Sequence, residues 1–105
     1  MPAEEVYAGV QRRSFSSEQA TVTSYSFAPG ATFPLHRHTQ EQITLVEAGD
    51  VEMTVGDCVE PLAAGEWSVV ASEVEHGIRA GSDGAMIVAI IVPRRESLDA
   101  YTVLG

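Results

Sequence analysis

The twenty residues from Gly30 to Gly49, GATFPLHRHTQEQITLVEAG, carry the pattern that decides the fold. His36 and His38 stand one residue apart in a segment with strand-like flanks. Side chains two apart on a strand point to the same face, so both imidazoles can reach one ion. Gln42 follows a short turn, at a point where a hairpin would return its side-chain oxygen to the histidine pair. The stretch therefore predicts two adjacent strands that present metal ligands together.

The remaining histidine, His76, lies on a distant part of the chain, after the turn residue Gly65. Closure of a barrel would bring such a residue back to the His36 and His38 pair. The fourth ligand is either Gln42, by position, or its neighbour Glu41, which is the better ligand by charge. The candidate metal site is therefore made of three histidines and one of these two oxygen donors.

Glycine and proline turn signals recur at short intervals and separate runs of strand length. These runs are rich in β-branched and aromatic residues, and no segment has a convincing helical pattern. The predicted strands are Thr21–Phe27, Ile43–Glu47, Val51–Val55, Trp67–Val70 and Ala85–Val92. Parallel sheets need crossover segments that this chain is too short to supply. We expect an all-β, antiparallel sandwich or barrel, as a single domain over residues 1–105.

Composition excludes several classes of function. The formal charge of −9 repels nucleic acids and anionic membrane surfaces, and all six basic residues are arginine, so lysine chemistry is absent. No apolar stretch is long enough to span a bilayer. Cys58 is the single cysteine, and the N-terminal residues do not resemble a signal peptide. We therefore expect a soluble cytoplasmic protein with a small-molecule partner and neither nucleic acid nor membrane as a partner.

The segment Met86–Val92 is apolar at every position, so both of its faces should be covered. One small barrel covers only one face of a strand. The second face lies either under a loop or terminal segment or in a subunit interface. We favour the interface and expect a homodimer, with the terminal segments in the contact.

The stretch that begins at Gly30 resembles the first motif of the cupins, G-x5-H-x-H-x3,4-E-x6-G, at every spacing. Its one change is Gln42 in place of the glutamate, and Glu41 is one residue too close to His38 to take that place. The segment from Gly65 to His76 keeps the spacing of the second motif, although the proline, glycine and asparagine of that motif are replaced by Ala71, Glu73 and Ala80. The resemblance covers residues 20–93.

This resemblance implies a double-stranded β-helix, or jelly-roll barrel, with a divalent ion in its interior held by His36, His38, Gln42 and His76. An ion with four neutral protein ligands keeps open positions if it is nickel, iron, manganese or cobalt, and zinc could also bind. We expect the pocket around the ion to be lined by large side chains, which are Tyr25, Phe27, Phe33, Met53 and Trp67.

Within the cupins, the sequence looks like the single-domain enzymes of pectin and alginate degradation that act on unsaturated uronates. Arg95 matches an arginine after the last long strand of those enzymes, and it joins the expected pocket. The acidic residue that they use on the inner face of that strand is replaced by Ala89. Three functions therefore stay open: a metal-assisted isomerase or lyase acting on a small polar or carboxylated molecule, an iron-dependent dioxygenase, and a non-catalytic binding or sensor protein.

Overall fold

The computed structural model describes residues 3–97 and 101–104 and contains nine strands and no helix in these ranges. No helix in this part of the chain could therefore cross a membrane. The strands are β1 (Glu4–Tyr7), β2 (Val10–Ser16), β3 (Thr21–Phe27), β4 (Thr32–Arg37), β5 (Glu41–Val55), β6 (Cys58–Ala63), β7 (Trp67–Val70), β8 (His76–Val92) and β9 (Thr102–Val103).

Two of the predicted strands have the expected bounds, since β3 and β7 begin and end at the predicted residues. The other predictions are wrong in one respect. The runs Ile43–Glu47 and Val51–Val55 belong to one strand of 15 residues, and Ala85–Val92 is the second half of a strand of 17 residues. The glycines between these runs were interpreted as turns, but the chain passes through them as strand.

The glycines at these positions bend the two long strands. Gly49 has a φ of +73° and Gly84 a φ of +74°, values that side chains with a Cβ rarely adopt. A Cβ on Gly49 would also collide with the carbonyl oxygen of Gly84. The pairing between β5 and β8 shifts register on both sides of this region, which is typical of β-bulges. The sequence signal for a turn therefore marks a bend inside a strand.

All pairings in the sheet are antiparallel, and the long strands β5 and β8 connect its two halves. They pair from Glu41 opposite Val92 to Val55 opposite His76. Beyond them, β1, β2, β3 and β7 extend one half, and β4, β6 and β9 extend the other. The sheet curls into a jelly-roll barrel, as the resemblance implied, with alternate residues of each strand facing inward.

The inward residues form one apolar core that continues into a polar region. Met53, Ile87 and Ile91 are completely buried, and each such side chain contributes about 1.5–3 kcal/mol. Buried polar side chains lie on the inner face of the same strands, among them Thr23 and Thr44. The barrel interior is therefore divided between packing and a site that can bind polar groups.

Candidate metal centre

Three elements bring the histidines together. His36 is the fifth residue of β4, His38 follows that strand directly, and His76 begins β8 opposite His36. All three imidazoles are buried, and Gln42, on β5, is buried beside them. The ligand atoms of the three histidines lie within 4.8 Å of one another. This spacing is short enough for one ion to bind all three.

Backbone carbonyl groups fix the orientation of each ring. The Nδ1–H of His36 donates to the Pro34 oxygen at 2.8 Å, and that of His76 donates to the Val74 oxygen at 2.9 Å. His38 donates in the same way to its own neighbour two residues on, at 2.9 Å. A histidine that donates from Nδ1 carries a lone pair on Nε2. All three Nε2 atoms are therefore ready to bind a cation, with their rings already oriented.

The side-chain oxygen of Gln42 faces the same point. It lies 3.1 Å from Nε2 of His38 and 3.3 Å from Nε2 of His76. Each of these atoms is an acceptor when the rings are neutral, so lone pairs converge with no proton between them. Such an arrangement is unfavourable by itself and becomes favourable around a positive ion. The donor set therefore fits a divalent transition metal.

The electrostatics favour the neutral rings that a metal requires. Burial lowers the pKa of His36 to about 3, with a further contribution from the charge of His76. Burial also lowers the pKa of His76 to about 4 and lowers that of His38. Protons therefore compete weakly for these nitrogens near neutral pH.

The structure separates the two candidates for the fourth ligand. Gln42 points inward, and its Nε2 donates to the Thr44 hydroxyl at 2.9 Å, which leaves the oxygen directed at the histidines. Glu41 is exposed, on the opposite face of β5. The geometry favours Gln42, since residues one apart on a strand point to opposite faces.

Three of the expected pocket residues lie at the site. Tyr25, Phe27 and Phe33 line a cavity of about 10 Å³ together with His36, Gln42 and Ile78. Met53 is fully buried opposite Ile78 and packs in the core instead of lining this cavity. The prediction for Trp67 is wrong. It is 58% exposed on the outer face of β7, because the alternation of that strand turns Ser68 and Val70 inward.

Arg95, the last of the expected pocket residues, is buried. It is 5% exposed, its guanidinium lies 5.5 Å from the centre of the Tyr101 ring, and it forms a hydrogen bond with Tyr25. Its charge also lowers the pKa of all three histidines. Arg95 thus places a fixed positive charge near the candidate metal centre.

Two tyrosines at the site were missed by the sequence reasoning. The Tyr101 ring packs edge-on to His36, with centroids 5.2 Å apart, and the Tyr7 ring packs against Phe33 at 4.9 Å. Both come from terminal parts of the chain, outside the region that the motifs cover. No spacing or periodicity in the sequence connects them with the histidines, so only the folded chain identifies them.

The fold and the candidate site together define the class of this protein, a small antiparallel barrel with potential metal ligands in its interior. The family model described as "Cupin domain" matches residues 23–92, and the chain belongs to this family. Among curated proteins it is similar to an H2HPP isomerase from Bacillus subtilis, with 37% identity over 68 residues. That match covers 64% of this chain and 28% of the relative, so the chain spans about a quarter of the relative's length.

Solved structures of the same fold support this assignment. KdgF from Halomonas sp. has a TM-score of 0.85 at 23% identity, with 91% of this chain and 89% of that chain covered. An RmlC-like cupin from Shewanella frigidimarina has a TM-score of 0.84 at 24% identity, with coverage of 90% and 86%. A variant of oxalate decarboxylase from Bacillus subtilis has a TM-score of 0.86 at 20% identity, with coverage of 91% and 28%. These likenesses show the jelly-roll fold.

Proposed function

We propose that the chain is a metal-dependent enzyme that acts on a small polar or carboxylated molecule by isomerase or lyase chemistry. The divalent ion would be held by the three histidines and Gln42. The observation that carries this proposal is the convergence of three Nε2 lone pairs and one amide oxygen, each ring oriented by a backbone carbonyl. Nickel, iron, manganese, cobalt and zinc all accept such ligands.

The charge balance at the site supports an anionic substrate. A bound ion would supply Lewis acidity that polarises a substrate oxygen. None of the four proposed ligands is negatively charged, so the full charge of the ion would remain available to a carboxylate. Arg95 adds a second positive charge within the barrel. A substrate carboxylate would therefore be attracted by both.

Isomerisation removes a proton from one atom of the substrate and adds a proton at another. We assign Tyr25 to donate the added proton, and its phenolate then takes up the proton that the substrate loses. Ala89, where the resemblance to the uronate enzymes implies an acid, is buried between Thr23 and Thr44 and carries no ionisable group. Tyr25 lines the same cavity as His36, and its side chain forms a hydrogen bond with Arg95. Burial raises the pKa of Tyr25, so its hydroxyl stays protonated and can act as a general acid.

The isomerase named among the curated relatives supports redox-neutral chemistry over oxygen chemistry. We test this with the full chain purified without added metal, by elemental analysis and then by turnover of small keto and unsaturated carboxylates. One ion per chain and turnover that is equal in air and under argon are expected. Turnover only in air would instead identify an iron-dependent dioxygenase, and ligand binding without turnover would identify a sensor.

The site assignment has its own control. His76→Ala should lose the ion, whereas Arg37→Ala, at an exposed residue between His36 and His38, should retain it. For the anion, Arg95→Met should weaken binding of a probe such as pyruvate about tenfold or more, since a charged hydrogen bond is lost. Arg94→Met, at the exposed neighbouring residue, should not. Equal binding of pyruvate by the wild type and Arg95→Met would contradict the role of Arg95.

We also infer that the chain forms a homodimer. The proposed ligands all come from one chain, so the second copy is not needed to complete the metal site. The inner positions Ile87 and Ile91 are completely buried, whereas Met86 and Val92 on the other face of β8 are 46% and 42% exposed. A second copy would remove this apolar surface from water.

A further inference from the structure

Arg95 lies three residues beyond the end of β8, in an irregular segment of the chain. Its neighbours Arg94 and Glu96 are exposed, whereas Arg95 itself is buried. Arginine is rarely buried in folded proteins unless specific contacts hold it there. The strand pairing that fixes the histidines and Gln42 does not extend to this segment, so other contacts must place Arg95 inside the barrel.

One backbone hydrogen bond attaches this segment to the barrel. The N–H of Arg95 donates to the hydroxyl oxygen of Thr21 at 2.9 Å, and 74 residues separate the two in the chain. Thr21 is the first residue of β3 and is completely buried. Water therefore does not reach this bond and cannot take its place. A buried N–H that lost its acceptor would destabilise the docked position of the segment.

The hydroxyl of Thr21 is itself held by the neighbouring strand. Its oxygen lies 2.9 Å from the hydroxyl oxygen of Ser16, the residue opposite on β2. Because Thr21 accepts the Arg95 N–H, its own proton is available for donation to Ser16. A second contact, from the Arg94 guanidinium to the Ser17 carbonyl oxygen at 3.3 Å, is exposed. The buried bond to Thr21 is the stronger anchor, because water competes at the exposed one.

The anchored backbone determines where the long Arg95 side chain begins. The guanidinium forms a hydrogen bond with Tyr25 and lies 5.5 Å from the centre of the Tyr101 ring. These contacts hold the head of the side chain, and the bond to Thr21 holds its base. If the base is released, the guanidinium occupies its position for a smaller fraction of the time. Affinity for an anion that needs it there falls by the same fraction.

We propose that Thr21 is a positioning residue that holds the Arg95 guanidinium in place for the substrate carboxylate. This role rests on the proposed function, in which Arg95 attracts that carboxylate. Thr21 is not among the proposed metal ligands. Loss of its hydroxyl should therefore weaken anion binding and leave metal binding unchanged, whereas general disruption of the barrel would weaken both.

Calorimetry with pyruvate on the metal-loaded full chain tests this role. Thr21→Val has nearly the same shape without the hydroxyl, and it should bind pyruvate about fivefold more weakly while retaining one ion per chain. Thr21→Ser keeps the hydroxyl and should bind pyruvate as the wild type does. Ser14→Ala is the matched control, because it removes another buried hydroxyl, which is bonded to Thr23. Equal pyruvate affinity in Thr21→Val and the wild type would overturn the role of Thr21 and leave the proposed function standing.

A double-variant cycle shows whether Thr21 acts through Arg95. In an Arg95→Met background the guanidinium is absent, so adding Thr21→Val should cause no further loss of pyruvate affinity. A further loss of about fivefold in that background would overturn the proposal, because Thr21 would then affect the anion by another route.

Nuclear magnetic resonance tests the anchor without pyruvate. The Nε–H signal of Arg95, identified by its absence in Arg95→Met, should exchange slowly with water because the side chain is buried. Exchange should be about fivefold faster in Thr21→Val and unchanged in Thr21→Ser. A wild type that does not bind pyruvate would contradict the proposed function, and the exchange rate would still decide on Thr21. The same rate in Thr21→Val as in the wild type would overturn the anchor.

Discussion

The hydroxyl groups of Tyr7 and Tyr101 lie 2.9 Å apart, although 94 residues separate them. The pair joins the first and last parts of the described chain above His36 and Phe33. Tyr101 is followed by β9, which pairs with β4 and places Val103 opposite His36. The cavity lined by Phe33 and His36 has a volume of about 10 Å³, room for about one water molecule. The tyrosine pair therefore holds the first and last parts of the described chain together beside His36.

Removing the hydroxyl bond should therefore speed exchange at the metal centre. Tyr7→Phe keeps the ring contact with Phe33 and removes one hydroxyl. Losing this hydrogen bond should remove about 1 kcal/mol of stabilisation, so a chelator should remove the ion about fivefold faster. The equilibrium affinity for the ion should change little, because Tyr7 is not a ligand. Stopped-flow measurement with a chromogenic chelator gives the rate.

The second tyrosine provides the control for this bond. Tyr101→Phe should match Tyr7→Phe, and the double variant should be no faster than either single variant, since the bond is already absent. Additive acceleration would mean that each hydroxyl acts through another contact.

The buried histidines also predict how the stability of the metal-free protein depends on pH. In the unfolded chain their pKa is about 6.5. In the folded chain burial lowers it to about 3 for His36 and about 4 for His76. The unfolded state therefore binds more protons between these values, so stability is full above pH 6.5 and decreases as the pH falls.

At pH 5 the free energy of unfolding should be lower than at pH 7 by on the order of 2 kcal/mol for each of these histidines. Urea unfolding of the metal-free protein at pH 7 and pH 5 measures it. His36→Asn should lower the difference by about the contribution of one group. An unchanged difference in that variant would assign the pH dependence to other residues.

How much of the site the sequence predicts depends on how far apart in the chain the interacting residues lie. The ligand residues were identifiable because His36, His38 and Gln42 are close in the chain, and the strand period of two fixes their faces. Their convergence with His76 depends on barrel closure, so it was predicted from the expected barrel and from the spacing of the second cupin motif. Trp67 was expected in the pocket as one of the large side chains, but it is exposed, because the register of a strand decides which face each side chain takes.

The bends in the long strands show a second limit. A glycine in a turn and a glycine in a bulge have the same sequence signal, and only the packing around each one distinguishes them.

Gly30→Ala and Gly49→Ala measure this difference. Both residues have a positive φ, +71° and +73°, but a Cβ on Gly30 meets no atom within 4 Å, whereas one on Gly49 meets the Gly84 backbone. We expect a loss of about 1–2 kcal/mol for Gly30→Ala and clearly more for Gly49→Ala in urea unfolding. Equal losses would mean that the bulge relaxes without cost.

The fourth ligand can be tested by changing its charge. If the Gln42 oxygen binds the ion, Gln42→Glu replaces a neutral ligand by an anionic one, so the ion should be held more tightly. The remaining positive charge would then be smaller, and binding of an anionic probe such as pyruvate should weaken. Titration against a competing chelator gives the first effect, and calorimetry with pyruvate gives the second.

Glu41→Gln is the matched control, because Glu41 is exposed on the opposite face of β5 and its change should leave both quantities unaltered. Weaker metal binding in Glu41→Gln, with Gln42→Glu unaltered, would reverse the assignment. Tighter binding in neither variant would leave the three histidines as the complete protein ligand set.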